Sequence, residues 1–115
     1  MLLIYNNPKT YEALSEAERN RTFGEVDALM KELTESGELV RGEALADTSQ
    51  SKTVRVRDGI PAVTDGPFAE AKEQLAGYVM VDCKTLERAV EIAGRWPDAR
   101  YFAMEVREVV GGTEM

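Results

Sequence analysis

The chain has 115 residues, 43% apolar and 30% charged, with a net charge of −7. That length holds one domain around a single core, and the composition is too apolar for a disordered chain. There is no histidine and a single cysteine, Cys83, which excludes a Ser-His-Asp triad, an imidazole metal ligand, an internal disulfide and a thiolate zinc cluster.

Catalysis, if any, must draw on Asp, Glu, Lys, Arg, Tyr or the lone thiol. No Asp/Glu spacing resembles a calcium loop, and neither a metal nor a cofactor is expected. The acidic balance disfavours nucleic acid, whose phosphates need a cationic face. No apolar run approaches the ~20 residues of a membrane helix. The start Met1-Leu2-Leu3-Ile4-Tyr5 lacks a basic region ahead of it and reads as a buried strand, not a signal peptide. A cytoplasmic location is the expectation.

That first strand ends at Asn6-Asn7-Pro8. Ser15 and Glu18 form a capping-box pattern, and Phe23, Val26, Leu29, Met30 and Leu33 recur at helical spacing. A helix from about Ser15 to Ser36 follows, stopped by Gly37. Leu39 to Leu45 reads as a strand weakened by Gly42, and Ala46 to Lys52 as a loop. Thr53 to Arg57 alternates, Asp58-Gly59 is a hairpin turn signal, and Ile60 to Thr64 is the returning strand, with Pro61 marking an edge. Tyr78 to Asp82 is an apolar strand. Thr85 caps a second helix with a Leu86, Ala89, Val90, Ala93 stripe, ended by Trp96-Pro97. Phe102 to Val109 is the last strand, and the domain closes near residue 110, with 111–115 a loose tail.

Without the hairpin the order is β-α-β-β-α-β. The fold class is therefore α+β, ferredoxin-like with an inserted β-hairpin. Two helices cover one face of a four-stranded sheet, so the other face calls for a partner, and a homodimer with sheet against sheet supplies it. Leu3, Tyr5, Val79 and Val81 are the candidates for that second face; sequence parity leaves the choice open.

Between hairpin and third long strand lies Asp65-Gly66-Pro67-Phe68-Ala69-Glu70-Ala71-Lys72-Glu73. Gly66 and Pro67 force a stiff corner, and the charges behind it are held in place. Together with Leu75, Gly77 and Tyr78, this stretch resembles the DGPF branch of the YCII-related family. The Met-Leu-Leu-Ile-Tyr start, Gly42-Glu43-Ala44-Leu45, Thr53 to Gly59 and Glu105-Val106-Arg107 fall in family order. The resemblance implies a dimeric α/β barrel of ferredoxin-like units. It also implies a regulatory role, since members of the branch are often encoded beside extracytoplasmic-function sigma factors; a sigma-factor pathway partner is one expectation. Ala76 stands where the family usually has a glycine, and Glu108 where it has a proline. The His–Asp pair discussed for the wider family does not transfer to a chain without histidine.

Candidate pocket residues are Arg55, Asp65, Phe68, Glu70, Lys72, Glu73 and Tyr78. Asp65 reads either as a general base or as a turn former accepting amides of the bend; held by amides it would make a poor base at neutral pH. Lys72 could bind an anion, or pair with Glu70 and Glu73 to close the corner. Phe68 reads as an anchor of the corner, Tyr5 and Tyr78 as interface residues with available hydroxyls, and Cys83 as a weak nucleophile. The leading expectation is a homodimer that binds a small molecule or acts in regulation. The alternative is a lyase or isomerase using Asp65 and Lys72 on a small acidic substrate.

Overall fold

Leu2 and Ile4 alternate with Leu3 and Tyr5 along the first strand, and this alternation decides the architecture. In the computed structural model, which describes residues 1–69 and 72–112, β1 (Leu2–Asn6) lies in a four-stranded antiparallel sheet. The sheet also contains β2 (Leu39–Ala44), β5 (Gln74–Val81) and β6 (Ala103–Val106), in the order β2-β5-β1-β6. That order is compatible with the ferredoxin-like arrangement. Strands β3 (Lys52–Arg57) and β4 (Ile60–Asp65) pair only with each other. Among the described residues, no helix is long and apolar enough to cross a membrane.

The long helix α2 (Glu16–Ser36) starts where Ser15 accepts the Glu18 N–H at 3.1 Å. The Ser15 hydroxyl then donates to the Glu18 carboxylate at 3.0 Å, so the carboxylate grips the capping hydroxyl and not the Ser15 amide. Gly37 ends the helix at φ 81°. There the Glu38 N–H reaches Leu33 O at 3.0 Å and the Gly37 N–H reaches Thr34 O at 3.2 Å, a paired closure that satisfies the last carbonyls. Thr85 caps α3 (Leu86–Arg95) by accepting the Arg88 N–H at 3.1 Å.

Two short helices interrupt the expected loops. Asn7 caps α1 (Pro8–Glu12), accepting the Lys9 N–H at 3.0 Å, and Pro8 takes the first turn. Pro97 does the same for α4 (Pro97–Tyr101). Both prolines were expected to end elements; at the first helical position a proline begins one, because its missing N–H is not needed there.

Helices α2 and α3 pack on one face of the sheet. Leu2, Leu29, Leu33, Val79, Ile92, Ala93 and Trp96 form the core, with Ile4, Leu39, Val81, Met104 and Val106 packed against it. This settles the parity: Val79 and Val81 face the helices, and Leu3 and Tyr5 share the opposite face with Tyr78 and Met80. Val79 and Val81 are thus corrected as candidates for a second face. The expected helical stripes are also narrower than read. Phe23, Leu86 and Val90 are more than half exposed, because period fixes a side chain's direction but not how far the sheet extends beneath it. The final strand is shorter than expected, ending at Val106.

Gly77 is buried in β5 between strands, and a Cβ there would meet Glu43 O at 2.6 Å. Beside it the β1–β5 register breaks: Ile4 faces Gly77, but Tyr5 faces Leu75, leaving Ala76 as the extra residue of a bulge. Ala76 O turns the other way and accepts the Leu45 N–H at 2.8 Å.

The two layers are joined at one end by Arg88, whose guanidinium donates twice to Glu38 at 2.9 Å and once to Glu91 at 2.8 Å. Ser36 adds a hydroxyl to Glu38 at 2.8 Å. The Arg88 and Ser36 hydrogen bonds draw the Glu38 carboxyl down to about 2. A carboxylate with a depressed folded pKa stabilises the fold above its unfolded pKa, and that stabilisation disappears as pH falls through the folded value. Urea midpoints should therefore fall for the wild type between roughly pH 5 and pH 2, and fall less in Glu38→Gln; equal acid limbs would remove Glu38 from the account. Leu33→Ala should cost about 2–5 kcal/mol of unfolding free energy, whereas Phe23→Ala, 56% exposed, should cost about 1 kcal/mol or less. Urea unfolding of both variants measures the difference.

Candidate functional site

The stiff corner is built as the turn residues dictate. Asp58 and Gly59 carry φ of 52° and 76°, the left-handed pair that a tight hairpin requires. The ladder then runs from Arg57↔Ile60 to Lys52↔Asp65. Gly66 has φ 90°; its N–H donates to Ser51 O at 2.8 Å, and the Thr53 hydroxyl donates to Gly66 O at 2.7 Å. The corner is thus buttoned to the root of its own hairpin.

Asp65 pairs with Lys52 across that ladder, and its side chain is 84% exposed. Its carboxylate accepts an ammonium and not the amides of the bend, and it stands at the surface. Phe68 is 79% exposed, not a buried anchor of the corner. Phe68, Pro67, Thr53, Val54 and Arg55 line a shallow open hollow. Lys72 and Glu73 are exposed, and no ion pair involves either among the described residues. Glu70 lies outside the described residues, as do residues 113–115 of the expected tail. Tyr78 sits away from the corner on the sheet, its hydroxyl donating to Glu43 at 2.8 Å; Tyr5 donates to Glu105 at 3.2 Å on the same face. The sequence candidates therefore fall in three places: Arg55 and Phe68 at the hollow, Asp65 beside it in an ion pair, and Tyr78 on the sheet.

A second cavity, of about 390 Å³, lies between the sheet and α1–α2. Its walls are largely apolar, with Ile4, Val26, Met30, Phe23, Val79 and Trp96 among them, and Tyr78 borders it. Polar groups enter from Asn6, Tyr11, Thr22 and Asp98. Local structure fixes each one. The Asn7 cap and Pro8 start α1, which carries Tyr11 edge-on to Phe23 with ring centres 6.3 Å apart. Arg19 holds α1 against α2 by donating to Glu12 O and Leu14 O, both at 3.1 Å. Trp96, 4% exposed, ends α3, and Pro97 turns the chain so that Asp98 falls in the first turn of α4.

Burial pushes the Asp98 carboxyl up, and a hydrogen bond from the Asn6 side chain opposes the shift only in part. Burial also raises the Tyr11 phenol, and the negative charge of Asp98 adds to it. By contrast the Cys83 thiol is pushed up by burial and by Glu38, which leaves it a poor nucleophile at neutral pH. Chemically the second cavity can hold a small, mostly apolar molecule and present a hydrogen-bond acceptor and a phenol to one end of it.

Sequence reading missed Asn6, Tyr11 and Asp98. Trp96 was read as the end of the second helix, which it is, but it also forms a cavity wall. The available signal was Trp96-Pro97-Asp98, since a proline in a first helical turn places an acid close behind it.

The model of the YCII-related domain matches residues 1–112. An uncharacterized protein of Rhizobium meliloti (strain 1021) is 36% identical over 92 residues, covering 80% of this chain and 74% of that protein.

A carboxyl whose folded pKa is raised penalises the fold once pH exceeds its unfolded value. Asp98→Asn should therefore raise the urea midpoint at pH 7 and lose that advantage toward pH 3; an unchanged midpoint at pH 7 would show that Asp98 carries no desolvation penalty.

Proposed function

This chain belongs to the YCII-related family, and from that premise we propose that it is a homodimeric small-molecule-binding protein with its ligand in the cavity beside Asp98. The observation that carries the reading is a half-buried carboxyl in an apolar cavity, raised by desolvation. Such a group costs stability unless something pairs with it, and perturbed carboxyls in clefts concentrate at functional sites.

The dimer is supported by what the protomer leaves uncovered. On the hairpin, Val54 faces Val63 and Val56 faces Pro61, so one side of the arm is an apolar stripe, with the three valines more than half exposed. Among the described residues, the helices pack on the other side of the sheet from Leu3, Tyr5, Tyr78 and Met80. The radius of gyration is 16.4 Å, against about 13 Å for a compact chain of this length. A second copy that receives the arms and closes sheet on sheet gives the dimeric α/β barrel, an occupant of matching chemistry for both surfaces. The lyase or isomerase reading has less behind it, because Asp65 is paired with Lys52 at the surface and Lys72 is exposed.

Two measurements test the reading. Sedimentation equilibrium should give a dimer for the wild type and a monomer for Val54→Asp/Val63→Asp; a monomeric wild type at micromolar concentration overturns the dimer. Trp96 is the sole tryptophan and lines the cavity. Compounds that raise the melting temperature should therefore also change its emission, and stabilisation with unchanged emission would move the site elsewhere.

A further inference from the structure

The cavity's walls and its polar end make different demands on a ligand. Ile4, Val26, Met30, Val79 and Trp96 ask for an apolar body. The Thr22 hydroxyl is spent on Glu18 O at 2.9 Å, which leaves Asn6, Tyr11 and Asp98 as the groups that define the polar end. The Asn6 amide and the Tyr11 phenol share this end with Asp98 and lie close enough to interact with its carboxyl.

What this end lacks is a cation paired with Asp98. Among the described residues Asp98 has no ion pair. Of the nearby arginines, Arg100 is paired with Glu25 at 3.1 Å, and Arg19 donates to the carbonyls of Glu12 and Leu14 with its charge felt at Tyr11 and not paired with Asp98. Asp98 does sit in the first turn of α4, where an acid is mildly favoured. A helix of five residues offers little compensation for desolvating a carboxylate, and it leaves the cavity unexplained.

We infer that the cavity takes a small apolar molecule bearing a protonated amine, with the ammonium group on Asp98 and the hydrophobic body against Trp96. This rests on the binding reading proposed above and specifies its ligand class. An ammonium supplies the missing charge-assisted partner for this half-buried carboxylate. Tyr11, Phe23 and Trp96 give the cavity an aromatic lining, a residue type that also accommodates cations. A neutral ligand leaves the carboxylate unpaired, and an anionic one sets like charges together. The net charge of −7 biases encounter in the same sense, drawing cations and repelling anions.

The test uses three compounds of similar size, 2-phenylethylamine, 2-phenylethanol and phenylacetate, titrated into the wild-type protein and Asp98→Asn while Trp96 emission is followed. The amine should bind tightest to the wild type and lose at least about tenfold in Asp98→Asn. The alcohol should bind both proteins within about twofold, since its affinity comes from the apolar walls, and phenylacetate should bind the wild type weakest. If the alcohol or the acid matches the amine in the wild type, or if Asp98→Asn leaves the amine unaffected, the amine assignment falls while the cavity survives as a binding site. If none of the three changes Trp96 emission, the cavity reading falls with it.

Discussion

The antiparallel pairing of β1 with β5 is the constraint from which the other features follow. These are the two inner strands of the sheet, so their pleat decides which side chains meet α2 and α3 and which are left outward. Leu2, Ile4, Val79 and Val81 line up on the helix side because Leu2 faces Val79 and Ile4 faces Gly77 in the ladder. One residue further on the ladder slips at Ala76, and the close approach of Gly77 to Glu43 O leaves no room for a side chain. Gly77 and Ala76 therefore contribute only backbone and a methyl group where α2 passes over, and the cavity opens beside them.

Two carboxyls show how differently this frame treats acids. Glu38, at the junction of α2 and β2, meets a forked guanidinium and a hydroxyl and is stabilised as an anion. Asp98 meets an amide and an apolar wall, and its anion is disfavoured. The first arrangement is closed on itself and joins two elements. The second has an unfilled requirement, the pattern expected where a protein retains strain for use instead of removing it.

Local signals in the sequence were reliable where chemistry acts over a few residues. Asp58-Gly59, Gly37, Ser15 and Thr85 each produced the turn or cap their side chains and backbone freedom demand. What depended on neighbours in space was not legible. The face of Val79 and Val81 turns on which side of the sheet the helices cover, which no local pattern announces. Phe23, Leu86 and Val90 have the right period for burial but are more than half exposed. The corner after the hairpin has the stiff turn and clustered charges that often mark sites, and its backbone fastens it to the root of the hairpin. Asn6, Tyr11 and Asp98 are far apart in sequence, and only the packing of α1 and α4 against the sheet brings them to one cavity.

The strand order has a consequence for how the chain acquires its structure during synthesis. β1 is made first, yet both of its neighbours, β5 and β6, come from the second half of the chain. While a ribosome is still producing the middle of the protein, α2 and the β3–β4 hairpin can form from contacts close in sequence, whereas Leu2 and Ile4 have no strand to pair with. The sheet closes only after Val106 has emerged, joining residues roughly a hundred positions apart, and such distant pairings form slowly. During that interval the nascent chain exposes the apolar side of a finished hairpin beside an unpaired strand, a state in which chaperones or an already folded copy would find it most receptive.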